Sequence, residues 1–191
     1  GKSWKECVQA ANHTAAQHIS QPTSNVLVEL KSNRPDRMDS RDHLLQSLAQ
    51  WKALGRRVVL TNGCFDLLHA GHVSLLTEAA RLGDVLVVGL NTDESVRQLK
   101  GPDRPVRHWE DRSSLLAALE CVDVVVPLFE STAHELIREI RPDVYVKGGD
   151  YRRDELVEID LLDELKIPVH LASLVPGVST SRLAQRLRGQ A

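Results

Sequence analysis

From residue 41 onward two hydrophobic spacings take turns along the chain. Leu44, Leu45, Leu48, Trp51 and Leu54 recur every three or four positions and predict an amphipathic helix from Arg41 to Leu54, stopped by Gly55. Val58, Val59 and Leu60 follow as an unbroken apolar run, the pattern of a short strand buried on both faces. Helical spacing returns from Val73 to Leu82, and a second apolar run occupies Asp84 to Leu90. The alternation continues with helices at Glu94 to Leu99 and Glu110 to Leu119, and a strand at Val122 to Val126. A helix at His134 to Ile140, a strand at Asp143 to Val146 and a helix from Arg153 to Lys166 come next. A strand at Val169 to Ala172 and a helix from Ser179 to Leu187 close the chain. Strands alternating with helices predict an α/β fold with a doubly wound, parallel five-stranded sheet.

Ahead of this alternation, Trp4, Val8, Ala11, Ala15 and Ile19 share one stripe of a helix spanning residues 1–20, with Ala10 and Ala16 beside it. Pro22, a strand-like run at 25–30 and the polar stretch Lys31 to Arg37 follow. The expected organisation is therefore an extra N-terminal helical segment and linker over 1–40, then the main domain over 41–191. Right-handed crossovers place the carboxyl ends of all five strands on one edge of the sheet. The residues expected to converge there are Thr61 to His72, Asn91 to Asp93, Pro127, Lys147 to Tyr151 and Leu174 to Ser181.

Composition narrows the classes of function. The 191 residues are 42% hydrophobic, enough for a full core, and the net charge of −2 lacks the basic excess of a general nucleic-acid binder. Lys100, Arg104, Arg107 and Arg112 nevertheless cluster within thirteen positions, which suits a phosphorylated small molecule. Cys7, Cys64 and Cys121 are widely spaced and form no Cys-x-x-Cys pair, so a reducing cytoplasm is expected. No apolar run approaches the length of a membrane span, and no signal peptide opens the chain.

The candidate chemistry begins at Thr61-Asn-Gly-Cys-Phe-Asp-Leu-Leu-His-Ala-Gly-His72, which links the first predicted strand of the sheet to a helix. At such a turn the helix amides face outward and favour phosphate. Gly63 and Gly71 allow close approach of a ligand, and His69 and His72, three residues apart, fall on one side of the first helical turn. Backbone donors and imidazoles together suit a polyphosphate that gains charge during reaction. The plain alternative is a pair of surface histidines beside a turn glycine. Asp66 and Asp93 stand near the same place, where each has a ribose, a histidine or a simple turn as its candidate partner. Cys64 reads as a packing residue.

These residues resemble the His-x-Gly-His signature of the nucleotidylyltransferases, the superfamily that includes the cytidylyltransferases and the class I aminoacyl-tRNA synthetases. The signature stands here as His69-Ala70-Gly71-His72. The resemblance extends over residues 56–188 and implies a Rossmann-like sheet. It further implies transfer of a nucleotidyl group from a nucleoside triphosphate to a sugar or polyol phosphate, with release of pyrophosphate. Mg²⁺ held mainly by the phosphates, rather than by protein ligands, is the implied cofactor, and a homodimer the implied assembly.

The family carries a lysine in the loop that runs here from Lys100 to Arg112 and an arginine at the start of the next helix. These positions match Lys100 and Arg112, which with His69 and His72 become the candidate catalytic residues. Thr61, Asn62, Gly63, Cys64, Phe65, Gly71 and Asp93 are implied on the nucleotide, and Asp66, Arg104 and Lys147 on the acceptor. The run Lys147-Gly-Gly-Asp-Tyr151 resembles the bacterial ADP-heptose synthases and adds Gly148, Asp150 and Tyr151 to the nucleotide side. Pro176-Gly-Val-Ser-Thr-Ser181 is similar to the second cytidylyltransferase signature, Arg-Thr-x-Gly-Ile-Ser-Thr-Thr, and would bring Ser179, Thr180 and Ser181 to the phosphates. It departs from that signature at Leu174 and Ser181, as expected for the heptose branch. The implied substrates are ATP and D-glycero-β-D-manno-heptose 1-phosphate. A cytidylyltransferase acting on glycerol 3-phosphate is the enzyme alternative, and an inactive nucleotide-binding regulatory module the alternative from another class. Ala10-Ala-Asn-His-Thr-Ala-Ala16 is similar to the closing helix of ribokinase-like sugar kinases, which implies a kinase tail over 1–40; a helix native to this domain is the other reading.

Overall fold

Five short runs rich in valine and leucine build the sheet: β1 (Val58–Gly63), β2 (Val85–Asn91), β3 (Val124–Leu128), β4 (Val144–Gly148) and β5 (Val169–Ala172). In the computed structural model, which describes residues 41–149 and 151–173, all neighbouring strands pair in parallel, in the order β3-β2-β1-β4-β5. β1 lies in the middle of the sheet, and from it the chain winds outward through β2 to β3. It then crosses back to the other side of β1 for β4 and β5. The strand order thus reverses between β1 and β4, and a crevice opens there at the carboxyl edge.

Helices α1 (Arg41–Ala53), α2 (Ala70–Ala80), α3 (Asp93–Lys100), α4 (Trp109–Ala117), α5 (His134–Ile140) and α6 (Ile159–Glu164) connect or cover the strands. The period-two geometry of a strand sorts the core into two layers. Val58 and Leu60 of β1, with Val85 and Val87 of β2, face α1, α5 and α6 through Leu44, Leu48, Leu136, Ile137, Leu161 and Leu162. Val59, Leu86, Val88 and Leu90 face the opposite way, toward Leu76 and Ala79 of α2 and Leu116 of α4. Gly89 occurs inside β2 because a Cβ there would lie 2.6 Å from Cδ2 of Leu136.

Three aspartates fix the amino edge. Asp84, Asp123 and Asp143 precede β2, β3 and β4, and accept the backbone N–H groups of Arg57, Leu86 and Val58 at 2.7–2.8 Å. Each carboxylate thereby ties the start of its strand to a neighbour and fixes the register that aligns the carboxyl ends. Pro127 is accommodated in β3 because that strand lies at the sheet edge. No helix among the described residues is long and apolar enough to cross a membrane.

The structure differs from the sequence expectation in two places that matter for the site. β1 runs on through Thr61, Asn62 and Gly63, paired to β2 throughout, so the turn proper is Cys64 to His69. The helix expected over Arg153 to Lys166 is broken into a 3₁₀ turn (Arg153–Glu155), an extended Leu156 with φ −74° and ψ 121°, and α6. Leu156 and Glu158 are buried while Val157 between them is exposed. Two inward side chains at alternate positions cannot both be served by helical geometry. The expected elements over residues 1–40 and the helix from Ser179 to Leu187 lie outside the described residues.

Candidate active site

β1 delivers the motif to the crevice. Phe65, at φ +43°, turns the chain in the left-handed region, uncommon for a residue with a side chain. His69 stands at the N-cap of α2 in an extended conformation, and its ring makes no capping hydrogen bond. Instead it stacks on His72, with ring centroids 3.8 Å apart and planes at 20°. The Phe65 ring centroid lies 5.1 Å from that of His72, tilted by 56°. Gly71 leaves room for this stack, since a Cβ there would come within 3.0 Å of Nδ1 and Cε1 of His69.

Burial sets the charge of the pair. Loss of hydration pushes His72 down to about 4, assisted by the nearby charges of His69 and Lys100, while the Leu67 carbonyl acts the other way. Burial also lowers His69 from its ordinary value. Two cationic rings in this stack would repel, so near neutral pH the imidazoles wait uncharged. A polyphosphate is the partner whose negative charge would favour their protonated or donating forms.

The cationic side chains expected from the sequence divide into two groups. Lys100, at the end of α3, and Lys147, at the end of β4, line the crevice. Arg112 is fully buried: its Nε donates to the Arg107 carbonyl at 3.0 Å, Nη1 to the Cys64 carbonyl at 2.6 Å and Nη2 to Asp93 at 2.6 Å. It braces the turn from behind. Burial would raise Asp93, but the hydrogen bonds and charges of Arg112 and His108 prevail and hold its carboxyl below the usual range.

Arg104 donates through Nε to Asp66 at 2.6 Å. The other Asp66 oxygen accepts the N–H groups of Val106 at 2.7 Å and Arg107 at 3.1 Å. Asp66, Asp93, Arg104 and Arg112 therefore form a buttress that binds the loop 101–108 to the motif, and none of them lines the crevice. Thr61 likewise turns away, donating to the Val146 carbonyl at 2.9 Å.

The crevice itself encloses about 590 Å³. Asn62, Gly63, Cys64, Phe65, Gly71, the two histidines, Gly148 and Tyr151 line it. Asn62 Oδ1 accepts the hydroxyl of the buried Tyr145 at 2.6 Å, which ties the end of β1 to the start of β4. Cys64 packs there with its thiol 3.8 Å from Asn91 Oδ1. Asp150, Ser179, Thr180 and Ser181 lie outside the described residues. Asn91, expected at this edge, lines the crevice, and among the lining residues that the sequence did not reveal are Ser131, Leu156 and Glu158. The alternation of Leu156, Val157 and Glu158 was the available signal for the last two, and it is masked by the helical spacing around it.

The cytidylyltransferase-like family model matches residues 60–186. Among curated proteins, the bifunctional protein HldE of Magnetococcus marinus is 46% identical over 177 residues, covering 93% of this chain and 36% of that protein. Its namesake in Wolinella succinogenes is 43% identical over 199 residues, covering 99% of this chain and 41% of the relative. The chain thus spans roughly two fifths or less of these relatives' length. A solved lipopolysaccharide core biosynthesis protein from Thermoplasma volcanium superposes with a TM-score of 0.56 at 27% identity, covering 63% of this chain and 99% of that one.

Proposed function

Because the chain belongs to the cytidylyltransferase-like family, we propose that its crevice transfers a nucleotidyl group from a nucleoside triphosphate to a sugar phosphate. The observation that carries this reading is the stacked, charge-depleted pair His69 and His72 at the start of α2, with Lys100 beside it. An oxygen of the acceptor phosphate attacks the α-phosphorus, the bond from that phosphorus to the bridging oxygen breaks, and pyrophosphate leaves with the electron pair. Such an in-line displacement needs position and charge compensation, with no covalent intermediate on the protein. His69 and His72 donate to oxygens on which charge grows, and Lys100 neutralises the triphosphate. Arg112 serves by position: it holds the Cys64 carbonyl and, through Asp93, the head of α3.

A divalent cation suits this site as a companion of the triphosphate, since the nearby carboxylates Asp66 and Asp93 are engaged by Arg104 and Arg112. Bound in that way, Mg²⁺ would supply charge neutralisation at the phosphate oxygens. Our reading of the substrates is ATP and D-glycero-β-D-manno-heptose 1-phosphate, giving ADP-heptose and pyrophosphate. The Lys147 to Tyr151 run and the similarity to proteins named HldE support it. A homodimer in the cytoplasm is the assembly and setting that go with this reading.

Pyrophosphate release in the presence of Mg²⁺, with ATP and CTP each crossed against heptose 1-phosphate and glycerol 3-phosphate, tests the proposal. Turnover with ATP and the heptose, abolished in His72→Ala, is the expected result. Turnover confined to CTP would keep the mechanism and overturn the substrates. Nucleotide binding without turnover in any pair would overturn the enzymatic reading.

A further inference from the structure

A carboxylate is out of place in a crevice that collects phosphates, yet Glu158 lines it at 2% exposure. The helix expected through this segment is broken at the point that turns Glu158 inward. Its Oε1 accepts the Ala133 N–H at 3.2 Å and stands 4.0 Å from Nζ of Lys147. Nζ in turn lies 5.7 Å from the centre of the Tyr145 ring and 5.6 Å from that of Tyr151. Burial raises the Tyr145 phenol well above its ordinary value, and the Glu158 charge adds to the effect. Glu158, Lys147, Tyr151 and Ser131 all line the crevice, and the buried Tyr145 ring backs Lys147.

Glu158 is at the other end of the crevice from the histidines. His69 and His72 belong to α2, on one face of the sheet, whereas Glu158 meets the start of α5 and precedes α6, both on the opposite face. In-line displacement places the attacking and leaving oxygens on opposite sides of the α-phosphorus. If the leaving pyrophosphate lies by α2, the acceptor approaches from the end that holds Glu158. A carboxylate there repels phosphate and accepts from hydroxyls, and Lys147 beside it can donate to the same polyol.

We infer that Glu158, held by the Ala133 amide and Lys147, reads the hydroxyl groups of the acceptor and selects a polyhydroxylated sugar phosphate over a short polyol phosphate. This rests on the transferase reading above.

The test is Glu158→Gln, which preserves shape and an oxygen for the Ala133 amide while removing the charge. The sugar phosphate KM should rise by about tenfold or more, the scale of a lost charged hydrogen bond. The ATP KM should stay within about twofold. Preference for the sugar phosphate over glycerol 3-phosphate should narrow. Should Glu158→Gln not fold, Lys147→Met gives the same readout from the other member of the pair. An unchanged acceptor KM, or a rise in the ATP KM instead, overturns the inference while leaving the transferase reading intact. A parent protein that binds ATP and turns over no sugar phosphate overturns both.

Discussion

His72 shows how much one side chain's role depends on its surroundings. Its folded value of about 4 lies below the ordinary 6.5. Between these values the unfolded chain binds more protons than the folded one, so stability rises with pH across that window. The contribution of neutral His72 is complete above about pH 6.5 and is lost as the pH falls toward 4. Melting temperature measured without nucleotide should decline as the pH is lowered through this range, and His72→Gln should flatten the decline. An identical slope in the variant would mean that other groups govern it. The sequence disclosed both histidines, because a short motif carries their identity and spacing. It did not disclose that they wait uncharged, since the burial responsible comes from Phe65 and the walls of the crevice.

Among the elements, the loop 101–108 departs most from its appearance in sequence. Its clustered cations suit a phosphorylated small molecule, and the structure instead fastens Arg104 and the backbone of Val106 and Arg107 to Asp66, a residue 38 to 41 positions earlier. The Asp66 side chain is fully buried and that of Arg104 is 14% exposed. Taking the charge from one member of a buried pair strands the other, so Asp66→Asn should destabilise the protein by roughly 3 kcal/mol in urea unfolding. Exchange of the Val106 and Arg107 amides should accelerate more than that of β1, because the loop is released before the sheet. Equal acceleration throughout would show that Asp66 supports the whole domain rather than the loop. Helix α6 gives a second case: amphipathic spacing favoured one long helix, and the inward turn of Glu158 shortened it.

For the molecule as a whole, the crevice exists because the strand order reverses between β1 and β4. A nucleotide bound there contacts elements far apart in sequence and stabilises only the folded chain. ATP with Mg²⁺ at about 100 times its Kd should add about 2.7 kcal/mol, raising the melting temperature of a protein of this size by roughly 5–10 °C. Thermal scans with ATP and CTP side by side measure this, and a shift with CTP alone would reassign the base. The alternating fold, the parallel sheet and its strand-to-helix motif were determined by the sequence, because hydrophobic period and turn chemistry are local properties. Only tertiary structure decided that Arg112 and Asp93 brace the turn, that Asp66 and Arg104 fasten a loop, and that Glu158 enters the crevice. Each of those outcomes depends on which distant backbone or charged group lies within hydrogen-bonding reach, and a linear pattern does not encode that distance.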